Sequence, residues 1–479
     1  MISAKTKRAY FKPMHLRTTG RLRLYNLFAA CMCGPSTRHW VNGVGTIGVI
    51  LASSAFLLER DIMRLGEMLM LVAFLAALPT AWRFLRTNPA FWLFAAWVGA
   101  MILSNSLAIA HTDIPTDHNI WNAARHWSRL GWIPLMAWLI AGRLGVVRAV
   151  LLGYTAAWFV FTLPEVSPDL LRAGLQGSRL DFGTGNPHRA ALPFMITTVI
   201  LAFLARDCVG SLQQGVTLFT ARLGLWALAL GFSTFGLFSA QGVGPLGGAV
   251  AACLIGLVVL WQHLTHGQGW SRKLRAFSIG AGSLTILIVS LVIVFKPAME
   301  SRVSSWSGGL TELSEGAIQT PTGSVGARYY LWTFAAEHWA DRPVLGYGTE
   351  TARSMISASD LPTRSFSHLH NSWLELLFST GIAGTTIMVA LFAHISYKIF
   401  QSTRTRRVPK RYGTLYFALL AAFILANIGE SYIVFNHFWP HMALITAGFY
   451  SIALFGEPRR DQNAHHSSHS AHDAAAESC

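Results

Sequence analysis

Apolar runs recur along almost the whole chain, interrupted by short polar turns and by one long polar segment before the last three runs. Crossing a bilayer takes roughly 17 to 25 predominantly apolar residues. Stretches of this kind, some of them shorter, fall near residues 41–58, 62–82, 90–110, 130–142, 147–163, 188–206, 222–239, 243–264, 277–295, 371–398, 412–431 and 438–456. The fourth and fifth are separated only by Arg143 to Arg148. The pattern predicts an all-α polytopic membrane protein of about 12 transmembrane helices, since in lipid a helix satisfies its own backbone. It divides into a basic arm (1–40), nine spans (41–296), a large polar loop (297–369), three further spans (370–456) and a Ser/Ala/His-rich tail (457–479). A hydrophobic content of 52% against 13% charged residues excludes an ordinary soluble enzyme.

Charge sets the orientation. Lys5, Lys7, Arg8, Lys12, Arg17, Arg21, Arg23 and Arg38 precede the first run, and alternate loops carry Arg83/Arg86, Arg143/Arg148, Arg272/Lys273/Arg275 and Arg404/Arg406/Arg407/Lys410/Arg411. Such loops stay in the cytoplasm, which places both termini inside and the large loop on the non-cytoplasmic side. The net charge of +16 follows from these loops meeting anionic lipid, so no nucleic-acid partner is expected. The first forty residues lack the apolar core of a secretory signal, and no cleavage is expected. The five cysteines fall on the cytoplasmic side or within spans, where disulfides are not expected.

Three loops on the other side break the charge rule. They hold Arg125 and Arg129, then Arg172, Arg179 and Arg189 around Gly183-Thr-Gly-Asn-Pro187, then Arg328, Arg342, Arg353 and Arg364. A guanidinium matches phosphate oxygens bidentately, so a lipid-linked pyrophosphate suits Arg125, Arg129, Arg179, Arg189 and Arg328; bridging of loops and snorkelling to lipid are the structural alternatives. In a continuous helix from Trp121 to Trp132, Arg125 and Arg129 would share a face. Pro187 would open the sixth span.

Within the large loop, Tyr329, Trp332, Thr333, Ala336 and Ala340 recur at helical spacing, predicting an amphipathic helix over 328–339 that buries this stripe and ends at Arg342-Pro343 and Gly346-Tyr-Gly348. Where polar chain re-enters lipid stands His370-Asn371. A neutral imidazole at that boundary can take a proton from a hydroxyl. His368 is the rival base, expected to point elsewhere if the helix begins there, and Asn371 either orients the imidazole or caps the helix. Gly381 and Gly384 would let another helix approach. Glu430, an ionisable group in the eleventh apolar run, is a candidate partner for an arginine. No Asp-x-Asp motif is present, and Glu59-Arg60-Asp61 is a poor substitute, so no metal or cofactor is expected.

His370-Asn371, nine intervening residues and Gly381-x-x-Gly384-Thr385, with Arg328-x-x-x-Trp332 and Asp341-Arg-Pro-Val-Leu-Gly-Tyr-Gly348 upstream, resemble the O-antigen ligase and polymerase superfamily over roughly residues 170–400. The resemblance implies a GT-C-like multi-helix fold and a metal-independent glycosyltransferase. Its donor would be an undecaprenyl-pyrophosphate-linked glycan and its acceptor lipid A-core, on the periplasmic face, with inversion at the anomeric carbon and His370 as general base. The fixed spacing fits the ligase form. A polymerase or a protein O-oligosaccharyltransferase would use the same donor, and a lipid-linked glycan transporter would make no bond. One departure stands out: relatives often carry a Ser-Arg-Gly-like element after the seventh span, where this chain has Ser239-Ala-Gln241-Gly242. Either another arginine compensates or that charge is dispensable.

Overall fold

The computed structural model describes residues 35–55, 59–111, 120–265, 324–363, 365–435 and 438–457, with Leu57 and scattered positions between 278 and 311. The basic arm up to residue 34, nearly all of the expected span at 277–295, the first part of the large loop, Arg364 and the tail from 458 lie outside the described residues. The chain is an all-α polytopic membrane protein, with no strand among the described residues. Among the described residues seven helices are long and apolar enough to cross a membrane, or up to nine if each of two bent pairs is one span.

The helices are α1 Pro35–Ala55, α2 Arg60–Ala76, α3 Leu78–Thr87, α4 Pro89–Ala110, α5 Ile120–Trp127, α6 Trp132–Ile140, α7 Leu144–Thr162, α8 Pro168–Leu175, α9 Pro187–Phe203, α10 Ala205–Val209, α11 Val216–Ala240, α12 Val243–Thr265, α13 Ser324–Asp341, α14 Thr351–Ala358, α15 Ser372–Arg404, α16 Lys410–Gly429 and α17 Phe438–Phe455. Two expected spans are bent instead: α2 and α3 meet at 93°, and α9 turns by 70° into the short helices after it. The run at 130–142 folds as α6, only nine residues long, ended by Ala141 and Gly142 in the left-handed region.

Helix α9 is the axis of the bundle. Its twelve residues from Ala190 to Leu201 are all buried, as expected of a helix apolar on every side. It packs against α7, α11, α12 and α16. Gly244 and Gly248 of α12 lie against the backbone of Ala426 and Ala422 in α16, a close approach that small residues permit and that dispersion forces reward. At one end of the bundle Asp207 accepts from both Arg148 (3.0 Å) and Arg411 (2.8 Å), and Gly142 touches Phe455. These contacts bring the basic turns after α6 and α15 to one surface. The loops around residues 176–189, 343–350, 368–372 and 430–435 gather at the opposite end.

Helix α15 is broken near that opposite end. Gly381 has φ 62° and ψ −168°, a region open essentially to glycine alone. The break frees the carbonyls of Phe378 and Ser379, which accept from the N–H groups of Tyr347 and Gly348, both at 2.9 Å. In return Ile382 and Ala383 donate to the carbonyls of Pro343 (2.8 Å) and Val344 (3.0 Å). Gly381 therefore admits a loop, not the second helix its spacing suggested, and at Gly384 the nearest atoms a Cβ would meet belong to Thr380 of the same helix. The Gly346-Tyr-Gly348 turn and the kink in α15 are two halves of one joint.

The helix in the large loop forms, with a different buried face. Ala327, Leu331, Phe334 and Ala335 are buried, whereas Tyr329, Ala336 and Ala340 are exposed. Leu331, Phe334 and Ala335 pack with Tyr347, Leu369 and Phe378 in a small core beneath the joint. Trp332 joins this layer, its Nε1 donating to the carbonyl of Leu369 at 3.0 Å.

Candidate active site: a buried Glu430 between three histidines

Helix α16 ends at Gly429, and Glu430 follows in extended conformation (φ −156°, ψ 149°). Glu430 is thus outside the helix in which its apolar neighbours placed it. Its carboxyl is 2% exposed, with Nδ1 of His370 at 3.1 Å, Nδ1 of His368 at 3.4 Å and Nε2 of His188 at 3.3 Å. Ser431 N–H donates to Oε1 at 3.0 Å. Burial opposes ionisation of this carboxyl. The hydrogen bond from His370 and the charges of His370, His188 and His368 outweigh burial and hold it well below the usual carboxylate range.

An ionised carboxylate only accepts, so the proton of neutral His370 is on Nδ1 and the lone pair is on Nε2. The geometry leaves His370 with a basic nitrogen turned from Glu430. His368 has no such freedom. It does not point elsewhere: its ring lies 4.2 Å from that of His370, and its Nδ1 accepts the His370 backbone N–H at 3.3 Å. That bond supports His370 in the left-handed conformation (φ 52°), uncommon for a residue with a Cβ. With Nδ1 accepting, His368 carries its proton on Nε2 and offers no base. Burial, partly countered by Glu430, pushes its pKa down to about 4.

Asn371 caps α15, its side-chain oxygen accepting from Trp373 N–H (2.9 Å) and Leu374 N–H (3.2 Å). Its own N–H donates to Ser431 Oγ at 2.9 Å. A second buried carboxylate, Glu375, accepts from Leu369 N–H (2.9 Å) and Ser431 Oγ (3.3 Å). Segments 368–372 and 430–431 are therefore stitched from both sides.

The candidate arginines separate into two groups. Arg179, Arg189 and Arg328 surround the histidine cluster. Arg179 Nη2 lies 2.7 Å from His188 Nε2, Arg328 donates to the Gly429 carbonyl at 3.0 Å, and the Arg189 guanidinium sits 5.1 Å from the centre of the Phe435 ring. Arg125 and Arg129 fall elsewhere. A 3-10 turn over Ser128–Gly131 interrupts the helix in which they would have shared a face. Arg129 pairs with Glu67 at 3.3 Å and meets His126 at 3.1 Å, while exposed Arg125 bonds Asn122 at 2.7 Å. Burial, and then the charges of Arg129, Arg125 and Arg60, push His126 down to about 4.

Gln241, where relatives often have arginine, is left-handed (φ 53°) and donates to the Gly177 carbonyl at 2.8 Å. Beside it Arg179 Nε donates to the Ala240 carbonyl at 3.3 Å. A guanidinium thus reaches this corner from the loop before α9. The sequence reading missed His188, Glu375 and Ser431 as members of the site, and marked Glu430 as a suspect ionisable group whose expected partner was an arginine and not a histidine. His188 follows a helix-opening Pro187, which drew attention to the turn. Glu430 and Glu375 carried a signal of their own, as carboxylates in apolar runs.

His368, His370 and Glu430 bring three ligand atoms within 4.8 Å of one another, close enough for a metal ion. The set fits a cation poorly. His368 Nδ1 is occupied by a backbone N–H, and the nearby charges of Arg179 and Arg328 add to the field a cation would face.

The fold and this cluster define a class: a multi-pass membrane protein with a carboxylate-oriented histidine among arginines at one end of its bundle. The O-antigen ligase family model matches residues 215–389, from the start of α11 to beyond the kink in α15, and over that segment the chain is similar to this family. The matched segment contains Arg328, the 341–348 turn, His370, Asn371 and the Gly381 joint. No curated protein matches the chain.

Proposed function

We propose that the protein is a lipopolysaccharide O-antigen ligase of the inner membrane with a GT-C-like fold. It would transfer a glycan from undecaprenyl pyrophosphate to a sugar hydroxyl of lipid A-core on the periplasmic face. The observation that carries this reading is His370, inside the family-matched region, paired with Glu430 from beyond its end. In the proposed step His370 Nε2 removes the acceptor hydroxyl proton as the oxygen attacks the anomeric carbon. The bond to the pyrophosphate oxygen breaks on the opposite side, inverting the centre. Glu430 stabilises the resulting imidazolium, and Arg179, Arg189 and Arg328 hold the charge growing on the pyrophosphate. A pyrophosphate neutralised in this way leaves without an acid catalyst.

The test mixes purified protein, undecaprenyl-pyrophosphate-linked glycan and lipid A-core in EDTA. Glycosylated lipid A-core is the expected product. A lengthened donor glycan would make the protein a polymerase, and an untouched donor would favour transport.

A further inference from the structure

His188 Nε2 stands between two groups that it cannot serve together. Arg179 Nη2 is 2.7 Å away and Glu430 Oε2 is 3.3 Å away. A guanidinium only donates and a carboxylate only accepts. With a lone pair at Nε2 the ring accepts from Arg179, and with a proton there it donates to Glu430. The shorter distance selects the first arrangement and leaves the proton on Nδ1, a buried atom without a hydrogen-bond partner among the described residues. Such an orphan N–H is costly, so the arrangement holds only while Arg179 compensates for it.

The surroundings fix the backbone of His188 and leave its ring to Arg179 and Glu430. Asn186 caps the His188 N–H at 2.8 Å and Tyr432 OH donates to the His188 carbonyl at 3.1 Å. The charged groups facing the ring are Glu430 from the end of α16, Arg179 from the loop before α9, His370 ahead of α15 and Arg328 from α13. The side chain is 20% exposed, enough for water to exchange its proton.

We propose that His188 is a two-position positioning residue that reports an anion at Arg179 to the His370–Glu430 pair. With the site empty, Nε2 accepts from Arg179. Once a pyrophosphate draws the guanidinium away, the released ring swings toward water, where Nδ1 sheds its proton and Nε2 takes one, and on its return the new Nε2–H donates to Glu430. No net charge moves. Glu430 then gains a donor on Oε2 while His370 keeps Oε1, so the carboxylate is held in place beside the base only when a leaving group is present. The inference rests on the donor reading above.

The experiment uses full-length protein carrying 15N-histidine, in nanodiscs, titrated with undecaprenyl pyrophosphate. Signals lost in H188Q, and independently in H188N should the first variant fold poorly, assign the His188 ring. The expected result is an Nδ1–H tautomer without lipid, an Nε2–H tautomer with it, and no change with undecaprenol. An unchanged tautomer while other histidine signals respond to the lipid would overturn this inference and leave the donor reading standing. Absence of any lipid binding would overturn both. In transfer assays H188L, which can neither accept from Arg179 nor donate to Glu430, is expected to lose kcat by about tenfold with lipid affinity within about twofold, a coupling of the usual size for contacting residues. H188Q, whose amide donates to Glu430 whether or not lipid is bound, should recover most of that loss. Full kcat in H188L would exclude the switch.

Discussion

Replacing Glu430 with Gln removes the charge that orients His370 while keeping the shape of the side chain. The amide oxygen still accepts from Ser431 N–H, which lies 3.0 Å from the carboxylate, so the stitch between 368–372 and 430–431 survives. What changes is the bond to His370 Nδ1, 3.1 Å away. A hydrogen bond to a charged group is worth about 1.5–3 kcal/mol, and tenfold in rate corresponds to about 1.4 kcal/mol, giving a loss of about ten- to 150-fold in kcat. The amide NH2 can also donate to Nδ1, which moves the proton to Nε2 and removes the lone pair from the reacting side. The corresponding Asp-to-Asn change in a Ser-His-Asp triad costs about 10⁴-fold, and this sets the upper end. Transfer to lipid A-core and binding of undecaprenyl pyrophosphate are measured side by side. Binding should persist, because the substitution removes a negative charge from an anion site. A kcat within twofold of wild type would refute the assignment of Glu430. The carboxyl is held below the usual range, so its contribution is complete above an unfolded value near 4.5 and is lost only as pH falls through the depressed folded value. Any fall in activity between pH 5 and 7 therefore has another origin.

Further outcomes follow from the same contacts. His368, pushed down to about 4, is neutral in the fold and protonated in the unfolded chain between that value and about 6.5. Stability is therefore complete above about 6.5 and is lost as pH falls to about 4, by about 3 kcal/mol; thermal unfolding across this window should be less acid-sensitive in His368→Gln. Gly381→Ala forces a Cβ onto the Val344 carbonyl at a backbone conformation that alone costs about 1–3 kcal/mol, and a lowered melting temperature checks it. Arg179→Lys keeps charge but not the bidentate fork, so KM for the lipid-linked donor should rise about tenfold with kcat less affected. EDTA should leave transfer unchanged; loss restored by one divalent ion would reassign His368, His370 and Glu430 as its ligands.

Much of the architecture was visible as apolar runs, because lipid requires each span to satisfy its own backbone. The bends were less visible. Within 62–82 the mark of the break is Pro79, in the first turn of α3; the angle of 93° is decided by packing. The buried stripe of α13 was misplaced because Tyr329 and Ala336 repeat as regularly as Leu331 and Phe334, and only contact with Tyr347 and Phe378 distinguishes the faces. His370 was legible from its place at a polar-to-apolar boundary. Its partner was not, since Glu430 lies 60 residues downstream and meets it through tertiary packing. The separation of Arg125 and Arg129 from Arg179, Arg189 and Arg328 has the same origin, because charge on one side of a membrane says nothing about distance within that plane.

The most direct test of the account compares purified wild type with His370→Ala in two assays: binding of undecaprenyl-pyrophosphate-linked glycan and its transfer to lipid A-core. The account predicts that the variant binds the donor with near-normal affinity and forms no product, because the arginines remain while the basic nitrogen is gone. Product formed by His370→Ala at a rate near wild type would contradict it.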